Sequence, residues 1–157
     1  GDYTVMLNSC VAAQAKHTFL FSGYETKTDG NPLAHCILRG SLNKSGQSIA
    51  NYHYEDLKLL VDMYQKFNLV NPACIVDANH NNSGKKWDEQ PRIVNEILHC
   101  RRHSQDVKNL VKGVMVESYI EDGNQPIGGG CYGKSITDPC LGWDKTEKLL
   151  LEMAEQL

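Results

Sequence analysis

Short apolar runs alternate with longer amphipathic segments along this chain. Three of the runs, residues 34–38, 73–76 and 113–116, are almost uniformly apolar and end abruptly in polar or charged residues. Uniform rather than alternating apolar character is typical of strands that are covered on both faces, as in a parallel sheet. The pattern therefore predicts three buried strands.

The segments before, between and after these runs carry apolar residues at helical spacing. In residues 54–67, the apolar side chains of Leu57, Leu60, Val61 and Tyr64 fall on one face of a helix. The same spacing predicts three further helices, over residues 4–15, about 87–103 and 146–157. Strands and helices thus alternate, which indicates an α/β protein with parallel strands. The repeat of roughly forty residues is compatible with a (β/α) barrel.

Other stretches are expected to be turns or loops. Residues 18–21 form a short β-like run, and residues 29–32, Asp-Gly-Asn-Pro, predict a turn. Residues 43–51 are rich in Ser, Gly and Asn and predict a polar loop. Residues 121–142 are too long for a simple connection, so we expect them to bind a ligand or to act as a lid.

The composition argues against several classes of protein. The chain has 157 residues, of which 41% are hydrophobic and 22% charged, and its formal net charge is -3. These values are ordinary for a soluble globular protein, and the lack of a basic stripe argues against a nucleic-acid partner. The apolar runs are too short to span a membrane, and the first residues do not resemble a signal peptide.

The chain contains six cysteines, none of them in a Cys-x-x-Cys pair. Cys36 and Cys74 lie within apolar runs, where a free cysteine behaves as a small hydrophobic residue. This usage is typical of a reduced, cytoplasmic protein rather than of a disulfide framework. Cys131 and Cys140, in the long Gly-rich loop, are the one pair for which oxidation is worth checking.

The second predicted strand ends in a cluster of polar residues. Asp77, Asn79, His80 and further Asn and Ser residues follow it, and a helical pattern begins near Trp87. In α/β proteins, ligands bind at the carboxyl ends of the strands. His80 is therefore a candidate metal ligand or acid/base group. The alternative is a loop histidine that is only held by hydrogen bonds.

Charged side chains also follow the other two strands. Arg39 follows the first and Glu117 the third, and Asp138 lies in the long loop beyond it. Because parallel strands end at one edge of a sheet, these side chains and His80 can converge. One imidazole and two carboxylates suit Mn, Fe, Zn or Co better than Mg or Ca. The alternatives are a basic partner for Glu117 and a turn or capping role for Asp138 before Pro139.

Arg39 and Gly40 together are suited to binding a phosphate or a carboxylate. The guanidinium offers two parallel donors, and glycine lets the backbone approach the anion. The alternative for Arg39 is a salt bridge across the mouth of the barrel. Lys85, Lys86 and Lys134 are expected to be solvated.

Four motifs occur in order along nearly the whole chain. They read His-Cys-Ile-Leu-Arg-Gly at 35–40, Ile-Val-Asp-Ala-Asn-His-Asn-Asn-Ser at 75–83, Gly-Val-Met-Val-Glu-Ser at 113–118, and Tyr-Gly-Lys-Ser-Ile-Thr-Asp at 132–138. Cys-Leu-Gly-Trp follows the last of these, which is the most specific. Together they resemble the motifs of the type I 3-deoxy-D-arabino-heptulosonate 7-phosphate (DAHP) synthases.

The resemblance implies that this chain is the C-terminal part of a (β/α)8 TIM barrel. It implies a metal-dependent condensation of phosphoenolpyruvate with erythrose 4-phosphate that releases phosphate, the first step of the shikimate pathway to aromatic amino acids. Matched residue by residue, His80, Glu117 and Asp138 are the implied ligands of a divalent metal, which is Mn, Fe, Co or Zn. Arg39 and Asp138 are the implied substrate-binding residues, and His80 and Asp138 the implied catalytic residues.

The chain also departs from the family's pattern. Asn79 replaces a serine and Ser41 replaces a second glycine. The family's cysteine metal ligand and its other phosphate-binding residues belong upstream of Gly1, so we expect residues 1–157 to form one partial barrel domain without the N-terminal half. Such a chain is expected to lack full activity by itself and to form a homo-oligomer, because an open sheet exposes an apolar edge.

Two other interpretations remain open. One is a related barrel enzyme, 3-deoxy-octulosonate 8-phosphate synthase, although the Lys-Ser-Ile-Thr-Asp sequence favours the DAHP synthases. The other is a non-catalytic barrel fragment that binds phosphate or metal. Residues 22–29 are shorter than a hairpin that takes part in feedback inhibition in some family members, so the sequence identifies no inhibitor.

Overall fold

The structure, a computed structural model, describes residues 2–157. Its helices are α1 (Tyr3–Gln14), α2 (Tyr54–Phe67), α3 (His80–Ser83), α4 (Gln90–His103), α5 (Gln105–Leu110) and α6 (Trp143–Gln156). Its strands are β1 (His17–Phe21), β2 (Tyr24–Thr28), β3 (Cys36–Leu38), β4 (Ser41–Leu42), β5 (Ser48–Ile49), β6 (Cys74–Asp77) and β7 (Val111–Met115). A turn of 3-10 helix, Trp87–Glu89, precedes α4.

The sheet at the centre of the fold consists of β3, β6 and β7, in that order and all parallel. Cys36 of β3 lies opposite Cys74 of β6, and Val76 of β6 lies opposite Val114 of β7. These strands are the three apolar runs that the sequence predicted, with small differences at their ends. Their parallel pairing confirms the predicted alternation of strands and helices, and it places all three carboxyl ends at the same edge of the sheet.

The helices cover the sheet with the apolar faces that their spacing predicted. The buried residues of α2 are Leu57, Leu60, Val61 and Tyr64. On α4, Ile93 and Ile97 are completely buried. The core is therefore formed mainly between the sheet and these helices, and Leu141 of the long loop after β7 also packs into it.

The first helix begins where the sequence indicated. The Asp2 carboxylate accepts hydrogen bonds from the backbone N–H groups of Thr4, at 2.7 Å, and Val5, at 3.3 Å. These bonds satisfy two of the N–H groups that a helix leaves unpaired at its start. Asp2 is therefore the N-cap of α1.

Five short elements were not predicted, namely β2, β4, β5, α3 and α5, and each lies in a segment of weak pattern. The predicted loop 43–51 contains β5, which pairs with β4 across a turn, and both strands are too short for any periodicity to be visible. The β-like run at 18–21 belongs to β1, which pairs with β2 as an antiparallel hairpin. The helices α3 and α5 are too brief to display an apolar face.

All six cysteines are free. Cys131 is exposed and Cys140 is buried, so the pair in the long loop forms no disulfide. Within residues 2–157, no helix is both long enough and apolar enough to cross a membrane.

Candidate metal centre

Three of the predicted side chains meet beyond the carboxyl edge of the sheet. The Nε2 atom of His80 lies 3.7 Å from Oε1 of Glu117 and 3.4 Å from Oδ2 of Asp138. The candidate ligand atoms of the three residues all lie within 4.8 Å of one another. Tetrahedral ligands about 2.1 Å from a metal ion are roughly 3.4 Å apart. The spacing therefore fits one ion held by one imidazole and two carboxylates.

His80 is oriented by a carboxylate that the sequence analysis did not single out. Asp77, the last residue of β6, is 1% exposed, and its Oδ2 lies 2.7 Å from Nδ1 of His80. A carboxylate can only accept, so Nδ1 donates to Asp77 and Nε2 is the ring nitrogen that faces Glu117 and Asp138. Carboxylates commonly orient metal-binding histidines in this way. The Asp-x-x-His spacing at a strand end was the signal in the sequence for this pair.

The backbone at His80 has an unusual conformation. Its φ angle is +42°, in the left-handed region that residues with a side chain rarely adopt. The neighbouring turn holds it there: the Ser83 hydroxyl donates to the buried Asn79 side chain at 2.8 Å, and the Lys85 N–H donates to the His80 carbonyl at 2.7 Å. Strain of this kind concentrates at functional sites.

Asp138 comes to the site on the long loop between β7 and α6. The carbonyls on either side of it are held, that of Thr137 by Asn124 at 2.9 Å and that of Pro139 by Asn79 at 3.5 Å. Gly123 also pairs with Cys140 across the loop. Hydrogen bonds therefore fix the loop at several points, and the loop carries the site residue Asp138.

A lysine that we expected to be solvated contacts the site. The ammonium of Lys85 lies 3.0 Å from Oδ1 of Asp138. This contact holds the pKa of the Asp138 carboxyl below its usual range, with smaller contributions from His80 and Arg39. Asp138 is thus charged at neutral pH, as a metal ligand must be.

Arg39 lies at the rim of the same site. It follows the last residue of β3, it is exposed, and its carbonyl accepts a hydrogen bond from the N–H of Asn81 at 3.2 Å. Within residues 2–157, its guanidinium has no hydrogen-bond or ion-pair partner. The salt bridge considered as an alternative is therefore absent from the described residues, and the guanidinium is open to an anion.

The partner of His80 provides a direct test of the centre. The Asp77→Asn substitution preserves shape but replaces a charged acceptor by a weaker one, and its amide can also turn a donor toward His80. We expect the affinity of the chain for Mn(II) to fall by about 10–100-fold. Calorimetric titration of the folded variant measures this loss. Unchanged affinity would show that Asp77 does not orient a ligand.

The parallel sheet, with a cluster of metal-binding side chains at its carboxyl edge, defines an α/β chain of the barrel type with a candidate metal centre. Comparison with known proteins then gives the family. The sequence profile of the DAHP synthetase I family matches residues 3–151. The chain belongs to the DAHP synthetase I family, which confirms the resemblance found in the sequence.

Individual relatives agree with this assignment. The chain is 36% identical to the Trp-sensitive phospho-2-dehydro-3-deoxyheptonate aldolase of Enterobacter agglomerans, over 99% of this chain and 44% of the relative. It is 34% identical to the enzyme of that name from Escherichia coli K12, over 98% of this chain and 44% of the relative. The chain therefore spans less than half the length of these relatives.

A solved structure supports the fold. The phospho-2-dehydro-3-deoxyheptonate aldolase of Francisella tularensis SCHU S4 superposes with a TM-score of 0.85 at 31% identity. The match covers 99% of this chain and 45% of that structure. It confirms the predicted fold class, the C-terminal part of a (β/α)8 barrel. The roles of His80, Glu117, Asp138 and Arg39 stay predictions, because no comparison tests individual residues.

Proposed function

We propose that this chain carries the metal centre of a DAHP synthase, which condenses phosphoenolpyruvate with erythrose 4-phosphate and releases phosphate. The observation that carries the proposal is the convergence of His80, Glu117 and Asp138 in a member of this family. The name of the relatives, a heptonate aldolase, supports it as well. A seven-carbon product requires a four-carbon aldehyde when the other substrate has three carbons.

We infer that His80, Glu117 and Asp138 would hold a divalent metal, namely Mn, Fe, Co or Zn. The mixed nitrogen and oxygen donors fit these ions, as do the spacing of the ligand atoms and the Asp77 carboxylate behind His80. Bound there, such an ion supplies Lewis-acid polarisation of an aldehyde carbonyl.

The other site residues would bind and orient the substrates. The exposed Arg39 guanidinium has the geometry to bind a phosphate or carboxylate of phosphoenolpyruvate through parallel hydrogen bonds. Asp138 has two carboxylate oxygens with different surroundings. Oδ2 faces His80, whereas Oδ1 contacts Lys85, and we propose that Asp138 also orients the aldose phosphate.

We also propose that the protein is a cytoplasmic homo-oligomer without a nucleic-acid or membrane partner. Free cysteines are typical of a reducing compartment. The hairpin of β1 and β2 exposes Leu20, Phe21 and Tyr24, each by more than half, and apolar surface of this kind favours association.

Phosphate release tests the proposed reaction. Because the chain alone is expected to lack full activity, we expect any release with both substrates and Mn(II) to require the four-carbon aldehyde and to be abolished by excess EDTA. A five-carbon aldose phosphate is the matched control, because an octulosonate synthase would prefer it. Release from phosphoenolpyruvate alone, or release that EDTA does not affect, would contradict the proposal.

A chimera extends this test to a barrel of full length. In the chimera, residues 3–151 replace the matching segment of the Escherichia coli relative, so that all other parts of the site come from that enzyme. We expect EDTA-sensitive release from the chimera. A folded, Mn(II)-loaded chimera that releases no phosphate would overturn the proposal.

A further inference from the structure

A fully buried amide lies behind the candidate metal centre. Gln90 is the first residue of α4, and none of its surface is exposed. Burying an amide is unfavourable unless its donors and acceptor find partners. Its partners therefore show what this side chain holds in place.

The partners of Gln90 are mainly the two backbone groups of one residue, Glu117. Its Oε1 accepts a hydrogen bond from the Glu117 N–H at 2.8 Å, and its Nε2 donates to the Glu117 carbonyl at 2.9 Å. Nε2 also donates to the Trp87 carbonyl at 3.2 Å. One side chain thus pairs with Glu117 as the backbone of a neighbouring strand would.

This pairing occurs where the sheet itself no longer holds the chain. The register between β6 and β7 ends with Asp77 opposite Met115, before Glu117 is reached. Beyond that point, Gln90 fixes the peptide groups on both sides of the Glu117 Cα atom, and the Leu141 N–H adds a hydrogen bond to the Glu117 carbonyl at 2.9 Å.

The amide is itself held rigidly, because α4 is anchored in the core by Ile93, Val94 and Ile97. The Glu117 carboxylate, by contrast, is about one-third exposed, and its nearest ionic neighbour among the described residues is His80. Its position relative to His80 therefore depends on how firmly its backbone is held.

We propose that Gln90 is a positioning residue that holds Glu117 in place as a metal ligand. This inference rests on the proposed metal centre. In that centre, helix α4 contributes no ligand, but it sets the distance between Glu117 and His80 through the hydrogen bonds of the Gln90 amide. A purely structural role would make Gln90 matter for stability and leave metal affinity unchanged.

The test compares Mn(II) affinity with stability in the 157-residue chain. Gln90→Met keeps an unbranched side chain and removes all three hydrogen bonds. We expect it to bind Mn(II) about 10–100-fold more weakly than the original chain, at a temperature where circular dichroism shows it folded.

Ile97→Val is the matched control on the same helix, and it should lower the Tm without changing the affinity. Gln90→Asn, too short to reach Glu117, replaces the methionine variant if that variant does not fold.

A double-mutant cycle shows whether Gln90 acts through Glu117. In a Glu117→Ala background, Gln90→Met should cause no further loss of Mn(II) affinity, because the ligand that it positions is absent. Additive losses, or a Gln90→Met chain with the original affinity, would overturn the inference while leaving the metal centre intact. If the original chain itself binds no Mn(II), or if Glu117→Ala binds it as tightly, the proposed metal centre fails and the inference fails with it.

Discussion

Replacing His80 by alanine is expected to abolish Mn(II) binding. The imidazole is the only nitrogen donor of the cluster, and its Nε2 atom faces both Glu117 and Asp138. Loss of an outer partner such as Asp77 costs about 10–100-fold in metal affinity, so loss of a direct ligand should cost more than about 100-fold. Phosphate release by the chimera should disappear in parallel.

Electron paramagnetic resonance of free Mn(II) measures this effect directly. The matched control is His35→Ala, since His35 lies at the amino end of β3, the edge of the sheet opposite to the site. That variant should bind Mn(II) as the original chain does. Thermal unfolding without metal establishes that both variants are folded. Tight Mn(II) binding by a folded His80→Ala chain would remove His80 from the ligand set.

The convergence of two of the three candidate ligands was predictable from the sequence because it follows from topology. Uniformly apolar runs indicated parallel strands, and parallel strands end at one edge, so His80 and Glu117 had to be neighbours there. Asp138 was harder to place from its spacing, since it lies far from a strand end, and the motif resemblance assigned it to the set. The position of its loop depends on contacts such as that between Asn79 and Pro139.

The residues that support the ligands were not predictable in the same way. Lys85 reaches Asp138 only because Gly84 and Lys85 both adopt left-handed φ angles, of +62° each, which no periodicity reveals. Gln90 begins a helix whose apolar face was recognised, but the pattern treats a glutamine as exposed. Its burial becomes explicable only when the unpaired backbone of Glu117 is seen beside it. Local pattern thus identified the candidate ligands, whereas three-dimensional contacts identified the residues that orient them.

The substitution Gly40→Ala is expected to destabilise the fold and disturb the site together. Gly40 lies between Arg39 and β4, with a φ angle of +70°. A Cβ atom there would lie 2.8 Å from the Asn81 carbonyl carbon and equally close to the Ile49 oxygen. Both are backbone atoms, so the β4–β5 hairpin or the turn that carries His80 must move. The left-handed conformation costs about 1–2 kcal/mol with a side chain, and overpacking adds about 1–3 kcal/mol.

Gly46→Ala separates these two costs. Gly46 has a φ angle of +76°, but no atom lies within 4 Å of the position that an alanine methyl group would occupy, so the substitution there meets the conformational cost alone. Urea unfolding should show a loss of about 2–5 kcal/mol for Gly40→Ala and about 1–2 kcal/mol for Gly46→Ala. Only Gly40→Ala should also weaken Mn(II) binding, because Asn81 adjoins His80. Equal losses of stability with equal Mn(II) affinity would mean that the approach of Gly40 to Asn81 does not position the site.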